Sequence, residues 1–348
     1  MIVGWSSLAY GQRGGERIFE FVQLPTSARS TALGGSQIAA LTNDYGLVGG
    51  NPAMLNPEMD KTFIFQHDFY FDGISNGYAG YAKYFPGMKS MIHAGVHYAA
   101  YGKFTAADEQ GNVQGEFKAN DLSLQAGISK VLNERMSGGV LVQYIQSTLE
   151  AYSSTGLMID AGLTYKSEDG LNHYALVLRS MGFQFSTYYA GDIPGNTPFD
   201  IQLGFSKRLA HVPFRLSVLM HDINRWDLRY KSPLDENTSL GFGGDAPKEQ
   251  SNFAEGVDNF FRHLVFGGEI IIGKNENVML RFAYNHQRAQ ELQVVNLRSL
   301  AGFSGGVGIN FKAFVLDYGF AVYHQAGSSK HLGIRVPLTS MKGKTIVD

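Results

Sequence analysis

Two histidines four positions apart, His93 and His97, are the first place to look for chemistry. On a helix that spacing puts both rings on one metal-binding face. On a strand they share a face but stand ~13 Å apart, too far to hold one ion. His221 and Asp222 are adjacent beside a long loop, and a catalytic His-Asp pair needs a nucleophile. The sequence has no Gly-x-Ser-x-Gly elbow, so the pair reads as a hydrogen bond at a rim. Gly302, Gly305, Gly306 and Gly308 have no Lys-Ser/Thr after them and sit inside an alternating run. They fit close packing of a strand against another backbone better than a phosphate loop. No residue set supports catalysis, a cofactor or a metal, and the reading is that of a non-enzyme.

The chain of 348 residues has no cysteine, which excludes disulfides, thiolate metal sites and cysteine nucleophiles. Its 29 Lys+Arg against 31 Asp+Glu leave a net charge of -2, with no basic footprint for nucleic acid. Charged residues are only 17%, while aromatics reach 13% and glycines number 42. No stretch reaches the ~18 apolar residues of a membrane helix. A low-charge, glycine- and aromatic-rich chain of this kind fits a membrane β-barrel.

From residue 61 the hydrophobic pattern has period two, which puts alternate side chains on opposite faces of strands. Leu122, Leu124, Ala126 and Ile128 alternate with Ser123, Gln125, Gly127 and Ser129. Phe199, Ile201, Leu203 and Phe205 alternate with Asp200, Gln202, Gly204 and Ser206, and similar runs continue to Leu338. Weaker runs lie near 75–86, 134–147 and 172–182. Many runs span ~10–12 residues, enough to cross a bilayer when tilted. The second face is small and polar. It sets Arg179, Arg215, Arg281 and Arg335 against Asp160, Asp200, Glu269 and Asp317, as a lumen would, and Met158 and Met279 share that face as packing.

Brief turns near Leu132–Glu134, Ser167–Gly170, Leu209–Val212, Gly273–Glu276 and Phe311–Lys312 alternate with long loops near 103–116, 184–198, 223–258 and 287–299. That asymmetry is the one expected of periplasmic turns and surface loops. The fold class is therefore all-β: a transmembrane antiparallel barrel of about 14 strands with an N-terminal plug or hatch in its lumen. Residues 1–11 read as a residual signal peptide cleaved before Gln12, 12–60 as the hatch segment, 61–338 as the barrel and 339–348 as a periplasmic tail. Thr31–Leu41 is helix-compatible around Gly34 and Gly35.

The stretch AALTNDYGLVGGNPAML (Ala39–Leu55) ends its hatch motif in Asn51, Pro52 and Ala53, just before the first strand. It resembles the hatch of FadL-like outer-membrane barrels. FEFVQLPTSARSTALGGSQIA (Phe19–Ala39) and DNFFRHLVFGGEI (Asp258–Ile270) resemble the PorQ family of the type IX secretion system of Bacteroidetes. That resemblance implies a non-enzymatic member of a cell-surface attachment complex. Its partners would be a PorZ-like surface protein and, through it, PorU- and PorV-like components, with cargo joined to lipopolysaccharide in the outer membrane. The alternative is a FadL-like channel for hydrophobic solutes, against which the polar inner face counts. For either role the 223–258 loop is the place to look for contacts. Trp226, Leu228, Tyr230 and Phe253 are candidate anchors, as are Phe260 and Phe261 on a short helix expected over Ala254–His263.

Overall fold

The computed structural model describes residues 17–40, 42–70, 72–229, 252–273, 276–292, 300–324 and 327–338. The signal-peptide and tail assignments, and Tyr230, lie outside them.

Fourteen antiparallel strands close into one barrel, each bonded to its sequence neighbours and the first to the last. They are β1 (Thr62–Phe69), β2 (Ser75–Phe85), β3 (Ser90–Ala107), β4 (Val113–Val131), β5 (Met136–Leu149), β6 (Tyr152–Lys166) and β7 (Asn172–Ser186). Then follow β8 (Asp200–Arg208), β9 (Phe214–Met220), β10 (Leu264–Ile272), β11 (Val278–Asn285), β12 (Phe303–Asn310), β13 (Val315–His324) and β14 (Gly327–Pro337). The seam pairs Thr62 with Pro337 and Phe69 with Lys330. Phe63, Phe65, Leu124, Ile128, Leu176, Leu203, Leu216, Phe282, Leu316 and Leu332 are all exposed on the outer wall. Gln66, Ser123, Gln125, Gln143, Asp160, Gln202, Arg215, Glu269 and Arg281 are buried on the inner one. An apolar exterior round a polar interior inverts the pattern of a soluble fold and suits lipid as the outer solvent.

Each weak run in the sequence has a structural reason. In β7, Ser180 sits at φ 55° and the register with β6 shifts between Ile159 and Ala161. This bulge turns both Arg179 and Ser180 inward and breaks the alternation. In β5, Leu141 and Ile145 are buried on the inner face, so both faces are apolar. In β2 the outward position Gly77 lies under the Tyr98 ring, which donates or accepts a 2.7 Å bond with His67 Nδ1.

One expectation is corrected. Residues 103–116 are not a loop: β3 and β4 continue past the barrel as a two-stranded ribbon. β2 leaves β3 at Ala100, and β5 leaves β4 at Ala119. Beyond them Lys103 still pairs with Lys118 and Ala107 with Val113, so the ribbon stands roughly 20 Å off the wall by the rise per residue. Stacked Phe104 and Phe117 rings and a Lys103–Glu116 ion pair at 2.6 Å brace it.

The segment before β1 is helical over only part of the helix-compatible stretch. Helix α1 covers only Ala28–Ala32, with Ser27 capping Ser30 N, and it stops at Gly34 and Gly35. Those two take φ of 91° and 109°, a left-handed backbone that favours glycine. Three-residue turns at Tyr45–Leu47, Pro52–Met54 and Pro57–Met59 follow, each begun by an Asp or Asn side chain that accepts from a backbone N–H.

Candidate functional site: the segment against the inner wall

Strand glycines admit the segment. A Cβ on Gly139 would lie 2.5 Å from the Pro52 carbonyl carbon, and one on Gly162 would lie 2.0 Å from Asn51 Oδ1. The same holds for Gly319 against the Ala28 backbone, Gly204 against Ile38, and Gly306 against Ala32. Of the glycines at 302–308, only Gly306 is shown to meet this segment. Gly302 packs on Asn285 and Ala289, and Gly308 on Asp317 and Arg281. Asn51, Pro52 and Ala53 are buried together: Asn51 Oδ1 accepts from Ala53 N, and its Nδ2 donates to Ile38 O at 2.8 Å.

The segment reaches strands on every side of the barrel. Ala28 N donates to Gln66 on β1 at 2.9 Å, and Thr31 Oγ1 bonds His331 on β14. Arg179 on β7 donates to Val22 O, Ser206 on β8 to Ala39 O, and Ser304 on β12 to Ala32 O. At its centre Arg29 forks onto Glu269 of β10 at 2.9 and 2.7 Å and reaches Asp44 at 3.0 Å. Glu269 also receives Arg215 at 2.9 Å and Arg281 at 3.2 Å. Arg281 continues to Asp317, and Asp44 takes Arg335 at 3.0 Å. Burial pushes the Asp44 carboxyl up, but Arg335, Arg29 and Arg281 outweigh it and hold it at about 2. Burial likewise pulls the Arg29 guanidinium down, and Glu269 and Asp44 more than restore it, so it is raised. Sequence reasoning placed Arg215, Glu269, Arg281 and Asp317 on this face but missed Arg29 and Asp44. No strand periodicity marks a side chain in an irregular segment.

The inner face is not uniformly polar, which corrects the sequence reading. Tyr45, Val48, Leu55 and Met59 of the segment pack on Ile64, Tyr78, Ala82 and Met91 of the wall. Phe19, Phe21 and Val22 pack on Ala99, Ile145 and Met158. His93 and His97 belong to these contacts rather than to each other: His93 meets the Tyr45 hydroxyl, and His97 bonds Asn76 under the Phe21 ring. Ser329 donates to Asp68, while His331 turns to Thr31, and all four side chains are sealed from solvent. They hold structure and offer no reacting group a path.

At the other end, helix α2 (Asn252–Arg262) follows the long connection. His221 bonds Asp222 at 2.9 Å beside Arg225, as a rim contact. Trp226 is exposed and stacks on His263 at 4.8 Å. Leu228 is not a surface anchor, because it is fully buried and its N–H donates to Asn259. Phe253, Val257, Phe260 and Phe261 are all exposed at helical spacing, on one face of α2. Phe261 sits 6.5 Å from Phe266 of the outer wall, which makes that face continuous with the apolar exterior.

No protein-family model matches the sequence, and no curated sequence does. The fold has clear likenesses among solved structures. The toluene transporter TbuX of Ralstonia pickettii superposes with a TM-score of 0.52 at 11% identity, over 90% of this chain and 97% of that chain. The monoaromatic hydrocarbon channel CymD gives 0.53 at 14%, over 90% and 97%. The Pseudomonas putida toluene transporter TodX gives 0.51 at 12%, over 90% and 96%. At these identities the likeness is one of fold: a closed fourteen-strand antiparallel barrel.

Proposed function

We propose that this protein is an outer-membrane barrel that passes small hydrophobic solutes, with residues 17–60 acting as its plug. The observation that carries the reading is the pair of apolar patches on the inner wall, one about Tyr78 and Met91 and one about Ile145 and Met158. The segment covers both with Tyr45, Leu55, Phe19 and Phe21. A shift of the segment bares apolar surface inside an otherwise polar lumen, which is what an apolar solute needs for transit. The likeness to channels described as carrying toluene and monoaromatic hydrocarbons supports the same reading. In this orientation the short connections face the periplasm, and α2 and the β3–β4 ribbon face outward.

The test is entry of toluene into cells that lack their own hydrocarbon channels, read by an intracellular toluene-responsive reporter. Expression of this chain speeds the response, and a variant with the segment tied to β10 by a Gly34→Cys, Val265→Cys pair, whose Cβ atoms would lie 3.8 Å apart, abolishes the gain under oxidising conditions. Equal responses with and without the protein would refute transport.

A second reading is the attachment-complex anchor, with a PorZ-like partner. It is supported by the ion-paired fastening of Arg29 to Glu269 and by the projecting ribbon at 101–118, which offers a partner two open strand edges. Co-purification of a large surface protein in mild detergent, lost on deleting the ribbon, is the outcome that would replace the first reading with this one.

A further inference from the structure

The buried network has unequal charges. Among the described residues it joins four guanidiniums, Arg29, Arg215, Arg281 and Arg335, to three carboxylates, Asp44, Glu269 and Asp317. A surplus cation away from bulk water requires a counter-charge. Arg215 shows where it is needed: the residue is 4% exposed, and its buried Nε has no hydrogen-bond partner. Arg215 lines a cavity of 620 Å³ at the end of the barrel that carries the short connections. Arg208 and Lys312 also line it, and Asp44, Glu58 and Glu276 are its acids. Two of those acids are engaged locally, Glu276 by Arg208 at 2.7 Å and Glu58 by the Asn43 amide, while Asp44 already belongs to the network. Adding Arg208 and Lys312, with Glu58 and Glu276, to the four cations and three carboxylates of the network gives six against five, so one positive charge still stands in excess.

We propose that this cavity is a binding site for a small oxyanion, a phosphate or carboxylate group, with the Arg215 guanidinium on its wall and Lys312 and Arg208 at its mouth. Charge-assisted bonds from guanidinium to such oxygens are among the stronger polar contacts available to a protein. The site goes beyond the transport reading and does not depend on it, because a barrel that carries nothing would still hold the anion.

The experiment uses the full chain purified in a non-ionic detergent and titrated with inorganic phosphate at constant ionic strength in chloride. Saturable one-to-one binding that raises the thermal midpoint is expected. Arg208→Gln and Lys312→Gln, both at the mouth and outside the buried network, should each weaken it about tenfold. Arg215→Lys keeps the charge but removes the planar guanidinium and should weaken it comparably. A parallel titration with nanodiscs containing phosphatidylglycerol identifies the source of the group. Binding there with the same variant sensitivity, and none of free phosphate, assigns the site to a lipid headgroup. Failure of both probes, or binding that the three variants leave unchanged, overturns the proposal.

Discussion

Arg29 and Glu269 lie 240 residues apart and meet through two parallel bonds, Nε to Oε1 at 2.9 Å and Nη2 to Oε2 at 2.7 Å. Both side chains are about 97–98% buried. The pair therefore fixes an irregular segment to strand β10 of the wall.

Removing one member leaves charges without partners. Arg29→Met should destabilise the barrel by about 3–5 kcal/mol, because Glu269 and Asp44 both lose a buried cation. Arg29→Lys should recover only part of this, since an ammonium cannot reproduce the fork. Urea unfolding in lipid, followed by the mobility change on gels, measures both. Wild-type stability in Arg29→Met would show that the network contributes nothing.

Acid should loosen the segment in a defined window. The folded Asp44 carboxyl titrates at about 2, below its ordinary 3.8. Its contribution is thus complete above pH ~4 and is lost as the pH falls toward 2, at about 2 kcal/mol in all. Protease cleavage of residues 17–60 should rise across that window. Asp44→Asn should show the higher cleavage already at neutral pH and lose the acid-dependent step.

Steric contact at Gly139 gives a sharper test of the segment's position. A side chain there meets the backbone of Pro52, which cannot rotate away. Gly139→Val should raise single-channel conductance in a planar bilayer or cost about 1–3 kcal/mol of stability. Its neighbour Gly138 has only ordinary contacts, at 3.4 Å or more, so Gly138→Val serves as the matched control.

The aromatic face of α2 should contact lipid. With Trp5 replaced by Phe, the fluorescence of Trp226 should be quenched by brominated acyl chains, since Trp226 lies 6.4 Å from Phe260. Phe260→Ser together with Phe261→Ser should cut that quenching at least in half. Absence of quenching in the unsubstituted helix would place it in water, and equal quenching in the double variant would show that Phe260 and Phe261 do not anchor it.

Most of the barrel was legible because period two is a property of strands alone. The strong alternations all became strands, and the turns near Leu132, Ser167, Leu209, Gly273 and Phe311 fall between them. The blurred stretches were those where a second demand acts on the same residues. Ser180 bulges to place its N–H on Asp160, and Leu141 and Ile145 serve an apolar contact inside. The ribbon escaped notice because both its faces meet water beyond the wall, so no apolar stripe marks it. At the site, Asn51–Pro52–Ala53 was legible as a motif, and the wall charges as a face. Arg29 and Asp44 were not, because their partners are set by tertiary contact. Leu228 looked like an exposed anchor only because loop sequences do not reveal which side chain turns inward.

The seam between β1 and β14 joins the two ends of the strand sequence, so it closes only after the last strand has been made. Residues 17–60 precede the first strand yet touch β1, β7, β8, β10, β12 and β14. A finished cylinder would have to be threaded to accept them. The simpler order is that the sheet wraps round a segment already in place, with Arg29 waiting for Glu269 to arrive. The first forty or so described residues then act as a former during assembly, and a chain lacking them should close slowly or onto the wrong diameter even though every strand is present.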